Sequence, residues 1–153
     1  MIDDPQSLPL FAGLNDAALD HIALLCTVSE HDDGDIIISE QDSSDFNLYI
    51  LRHGRVEIVS TGSGLVSDET VLSREDKEVL GEISWLTHAP KAATVRCVGP
   101  VELISIDGPG LMRFMTENPD AGFVIMRRIA VLLACRLEQA GVLLKQVLWA
   151  SNI

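Results

Sequence analysis

Residues 81–95 read Gly-Glu-Ile-Ser-Trp-Leu-Thr-His-Ala-Pro-Lys-Ala-Ala-Thr-Val, and they carry the groups best suited to hold a small anionic ligand. Gly81 lets the backbone come close to something bound. Glu82 can accept hydrogen bonds from sugar hydroxyls. If a short helix starts at Glu82, the first-turn N–H groups through Ile83 and Ser84 lack intrahelical partners, an arrangement that suits a phosphate. Pro90 closes the segment, and Lys91 adds a full positive charge on the same side. Together these residues describe a pocket for a small phosphorylated sugar.

The elements that must position this stretch can be read in order. Asn15 is a good N-cap for a helix in which Leu19, Ile22, Ala23 and Cys26 fall on one face. Asp32-Asp-Gly-Asp35 is a turn, and Ile36 to Ile38 is a β-branched strand. Two β-like runs flank His53-Gly54, the layout of a tight two-residue hairpin, with Val56 and Ile58 pointing inward on the second arm. A Gly/Ser-rich loop is expected over 61–68, and a charged turn over 73–77 between short strands. Two further strands, 94–98 and 101–106, flank Gly99-Pro100. Roughly eight short strands, spaced about 8–12 residues apart, therefore fill positions 28–106. The fold class is mainly β with helices: an eight-stranded antiparallel, jelly-roll-like β-roll. An N-terminal helix and a long C-terminal helix flank it.

The helices after the roll occupy about 109–149. Leu111, Phe114 and Met115 define a short helix that ends near Asn118-Pro119, because proline disfavours helix in the residue before it. From Pro119 to about Trp149 the apolar positions Phe123, Met126, Ala130, Leu133, Leu137, Ala140, Leu144 and Val147 alternate steps of three and four. That is a coiled-coil seam. Ile125, Ile129, Leu132 and Leu143 form a second stripe. One stripe is expected to cover the roll and the other to pair with a second copy, giving a homodimer.

Composition narrows the function classes. At 153 residues the length suits a single domain, 1–153, with a real core. The net charge of −12, from 23 acids against 11 bases, disfavours direct DNA or RNA binding, which calls for a basic face. The three cysteines (Cys26, Cys97, Cys135) have no paired spacing and read as small apolar residues in a reducing compartment. The histidines show no metal-ligand spacing. No apolar run is long enough for a membrane span, and the first residues have no signal-peptide pattern, so the cytoplasm is the expected location. No Ser/His/Asp or Cys/His constellation is visible, so no enzymatic activity is expected.

These pieces, in this order, resemble a known family. The pattern runs from Gly34-Asp35, through Leu48-Tyr-Ile50 ahead of Gly54-Arg-Val56, to Gly81-Glu82 and Pro90 with Ala92-Ala-Thr-Val95, and then the long helix. It looks like a cyclic nucleotide-binding domain of the catabolite-activator type, over about residues 8–149. The resemblance implies that Gly81, Ile83 and Ser84 offer backbone N–H groups near a cyclic phosphate, and that Glu82 accepts from the ribose 2′-OH. Lys91 stands where the family places a phosphate-clasping arginine, and Ala92 would supply a neighbouring N–H. Alanine at that place leans the ligand toward cyclic AMP, with cyclic GMP as the second candidate. Arg136 or Leu137 of the long helix would cap the base.

The sequence departs from the pattern in places. Lys77-Glu78 replaces a usual Gly-Asp, and Gln41 stands where glycine is common. Trp85 replaces a smaller residue and is expected to pack in the core.

Two functions follow. The first is a non-catalytic cyclic nucleotide sensor that signals to an output protein of unknown identity through its long helix and dimer interface. The alternative is a degenerate domain that binds no nucleotide and serves as a dimerisation or protein-interaction module. In that reading Lys91 is a solvated surface lysine and Glu82 a loop-capping carboxylate.

Overall fold

The computed structural model describes residues 1–61 and 69–151. A 3₁₀ turn (Pro5–Ser7) leads into helix α1 (Asp16–Leu25), capped as expected by the Asn15 side chain, which accepts from the Ala18 N–H at 2.8 Å. Six strands follow: β1 (Cys26–His31), β2 (Ile36–Ile38), β3 (Leu48–Thr61), β4 (Glu69–Arg74), β5 (Val79–Leu80) and β6 (Thr94–Ile106). Helix α2 (Glu82–Thr87) interrupts them, and α3 (Gly108–Glu117) and α4 (Pro119–Ser151) complete the described residues. Cys26, expected on the α1 face, instead opens β1. The Gly/Ser-rich loop expected over 61–68 falls, apart from Thr61, outside the described residues.

All strand pairs are antiparallel, in the order β1-β6-β3-β4, with β2 also on β6 and β5 also on β3. The eight expected strand runs are present, but four of them merge into two long strands. His53-Gly54 is not a hairpin. Hairpin arms pair with each other, whereas here both arms pair with β6, Leu51 opposite Leu103 and Arg55 opposite Val98. The register slips on either side of His53, which makes the site a bulge where β3 bends around the roll. Gly54 (φ +112°) is needed there, since a Cβ would lie 2.6 Å from the Pro100 carbonyl oxygen. Gly99-Pro100 likewise lies within β6 rather than between two strands.

Strand alternation builds two cores. Leu48 and Ile50 of β3, with Ile104 and Ile106 of β6, face α1, α3 and α4. Tyr49 and Leu51, with Val101 and Leu103, face the roll interior beside Val56, Leu80, Val95 and Cys97. Trp85 packs in the helix-facing core at 2% exposure, and its indole N–H donates to the Gly108 carbonyl. From α4, Ile125 and Ile129 are buried in the same core, each worth about 1.5–3 kcal/mol of transfer free energy. Leu143, expected in that stripe, is exposed. A helix of 33 residues spans about 50 Å and has passed the roll by then.

Two departures from the family pattern turn out to share one conformation. Gln41 (φ +68°) and Lys77 (φ +69°) both occupy the left-handed region, where a side chain costs about 1–2 kcal/mol. The chain keeps the turns that glycine normally makes, without glycine. Lys77→Gly, on an exposed turn, is therefore expected to stabilise the fold by about 0.5–1 kcal/mol after the entropy of a more flexible unfolded chain is deducted. That corresponds to about 1–4 °C in a thermal melt, and a lower Tm would show that the lysine side chain itself contributes.

Candidate ligand-binding site

Gly81 holds φ +76° at the start of α2, where a Cβ would sit 3.1 Å from both the Asn47 carbonyl oxygen and the Tyr49 ring. The first i→i−4 bond of α2 is Trp85 N–H to Gly81 C=O, so the N–H groups of 82–84 precede the helical ladder. Glu82 follows directly and is only 7% exposed. Its carboxylate accepts from Arg136 of α4 at 2.7 Å, and the other Arg136 nitrogen donates to the Val79 carbonyl at 2.7 Å. One arginine thus ties α4 to the segment that carries Glu82.

Lys91 is 2% exposed. Its backbone pairs with the 41–42 turn in both directions, which fixes where the side chain starts. Its Nζ lies 3.4 Å from Asp45 Oδ1 and 5.6 Å from the centre of the Tyr49 ring. Burial alone would raise the Asp45 carboxyl. Hydrogen bonds from the Asn47 N–H and Tyr49 OH, together with the Lys91 charge, outweigh it and hold the group below the usual carboxylate range. Neither the solvated Lys91 nor the loop-capping Glu82 of the alternative reading is what the structure has. Both groups are buried and ion-paired.

Gly81, Glu82, Ile83, Ser84, Lys91, Ala92 and Arg136, all named from the sequence, line one cavity of roughly 380 Å³. That volume lies within the range of about 300–1,000 Å³ common for small-molecule sites. Ile38, Ile58, Leu80 and Val95 of the roll form its apolar wall, and Leu133 and Leu137 of α4 close it. Inward alternation on β3 pointed to Ile58. Arg74 also lines the cavity and had no such signal. The sequence placed it in a charged turn, whereas it is the last residue of β4.

Of the seam residues, Met126 and Leu133 are half-buried against their own core, and Phe123, Leu137, Leu144 and Val147 are 59–74% exposed. Cys26 and Cys97 fill the interior, while Cys135 lies exposed on α4. Burial pushes the Cys26 thiol up to about 11. Among the described residues no helix is long and apolar enough to cross a membrane.

An antiparallel roll with a cavity lined by Glu82 and Lys91 and bordered by the C-terminal helix has the architecture of a ligand-binding module. The family model described as "Cyclic nucleotide-binding domain" matches residues 29–118, and the chain belongs to that family. Among solved structures, the Thermus thermophilus catabolite activator protein superposes with a TM-score of 0.74 at 25% identity, over 91% of this chain and 62% of that one. A chain from Geobacter metallireducens GS-15, assigned to cyclic nucleotide-binding proteins, gives 0.73 at 26% identity over 89% of this chain and 99% of that one. The potassium channel AKT1 of Oryza sativa subsp. indica is 30% identical over 95 residues, 62% of this chain. The chain spans only about 10% of that channel's length.

Proposed function

We propose that this chain is a non-catalytic sensor that binds a 3′,5′-cyclic purine mononucleotide between the roll and α4. The observation that carries the reading is the convergence of buried Lys91 and buried Glu82 on one cavity with the backbone of 81–84 and 92. Lys91 would neutralise the cyclic phosphate, the backbone N–H groups would bond it, and Glu82 would accept from the ribose 2′-OH. Cyclic AMP and cyclic GMP share that phosphate and ribose, so these contacts serve both.

The output would run through Arg136. A ribose hydroxyl bonded to Glu82 must share that carboxylate with Arg136, which links cavity occupancy to the position of α4. Ligand then shifts α4 only by its differential affinity for the two positions. The apolar seam beyond the roll would pair with a second copy, so the dimer or a partner protein senses the shift. The internal Glu82–Arg136 and Lys91–Asp45 pairs also suit a module that needs no nucleotide, which is the second reading.

Thermal melts separate the two. Ligand at about a hundred times its Kd should stabilise by about 2.7 kcal/mol, several degrees for a chain of this size. Cyclic AMP or cyclic GMP should raise Tm, and linear 5′-AMP should not. No shift with either cyclic nucleotide at millimolar concentration removes the sensor and leaves the dimerisation module.

A further inference from the structure

Arg74 is the cavity-lining cation for which the phosphate and ribose contacts have no use. Its side chain is 18% exposed, and its Nε is buried without a hydrogen bond. Among the described residues, the Glu78 carboxylate lies 3.9 Å from Nε, and Nη1 donates to the adjacent Ser73 carbonyl at 3.2 Å. A guanidinium has five N–H donors and no acceptor, so the buried Nε–H is a donor that a ligand in the cavity can meet. Burial, then the like charge of Arg136, hold Arg74 below the usual arginine range, while Glu78 and Glu82 act in the opposite direction. Two of the charges that act on it, Arg136 and Glu82, line the same cavity as Arg74. With phosphate at Lys91 and ribose at Glu82, what remains for Arg74 is the base.

We infer that Arg74 reads the purine edge and makes this a site for cyclic GMP in preference to cyclic AMP; this rests on the reading proposed above. Guanine presents two neighbouring acceptors, O6 and N7, which match the paired donors of an arginine. Adenine presents N7 beside the N6 amino donor, and that amino group would face another donor. The lean toward cyclic AMP came from the resemblance at Ala92, whose methyl side chain carries no hydrogen-bonding group. Arg74 is a side chain that can tell the two bases apart.

Calorimetry with cyclic GMP and cyclic AMP on the full chain tests this. The unmodified protein should bind cyclic GMP roughly tenfold or more tighter. Arg74→Leu should erase the difference and leave cyclic AMP binding in place. Arg74→Gln, with the acceptor and donor pair that suits adenine, should reverse the preference, an outcome no merely structural arginine produces. Equal affinities in the unmodified protein, or variants that weaken both ligands alike, overturn the assignment but leave the sensor standing. Failure of both nucleotides to bind removes both readings. Thermal melts of each folded variant confirm that the comparison is made on intact protein.

Discussion

A Lys91→Ala variant is expected to bind cyclic AMP and cyclic GMP about a hundredfold more weakly than the unmodified chain, measured by calorimetry near neutral pH. A hydrogen bond to a charged group contributes about 1.5–3 kcal/mol, and the lost contact is that of a buried ammonium. Lys91 is 2% exposed, so its charge is poorly screened by solvent. The fold itself should tolerate the change. Asp45 loses a cation but keeps the Asn47 N–H and Tyr49 OH, and its side chain remains 36% exposed.

The pH dependence supports reading the experiment this way. The folded Asp45 carboxyl lies below its unfolded value, so its stabilisation is present above about pH 3.9 and is lost as pH falls through the lower folded value. At neutral pH that contribution is intact. Lys91→Arg restores the charge and adds a planar fork, and it should bind within about tenfold of the unmodified chain. Unchanged affinity in Lys91→Ala would place the phosphate elsewhere.

The second large effect concerns α4. Leu137→Glu is expected to convert a dimer into a monomer, read by light scattering or sedimentation. Leu137 is 74% exposed in the single chain, yet it sits on an apolar seam that runs on through Leu144 and Val147. If the seam pairs with a second copy, two carboxylates enter that interface without partners. The cost is about 3–5 kcal/mol, a hundredfold or more in association. Leu137 also borders the cavity, so Leu144→Glu, which does not, separates loss of pairing from loss of ligand. Both variants should be monomeric, and only Leu137→Glu should also weaken nucleotide binding. An unmodified chain that is already a monomer sinks the seam reading.

Much of this protein was legible in its sequence because the signals are local. The Asn15 cap, the β-branched strand runs, the Pro119 start of α4 and the three-four spacing along it each depend on neighbours a few residues away. The site segment 81–92 was legible for the same reason, since Gly81, Glu82 and Lys91 belong to one contiguous stretch whose residue types suit an anion.

What the sequence did not determine are several features that depend on residues far apart in the chain. His53-Gly54 has the composition of a hairpin, but its conformation is set by Pro100, whose carbonyl leaves no room for a Cβ at 54. The positive φ of Gln41 and Lys77 shows that a turn can persist after its glycine is gone, because the strands on either side hold it. Arg74 looked like one more charge in a polar turn. Only the fold, which brings the end of β4 and residues of α4 to one cavity, makes it a cavity residue with a buried nitrogen that lacks a hydrogen bond. Lys91 and Glu82 were named from their types and their places in the 81–95 stretch, but a lysine in a sequence carries no sign of its burial. Tertiary structure decided that, by closing the 41–45 turn over Lys91 and bringing Arg136 onto Glu82, more than fifty residues away.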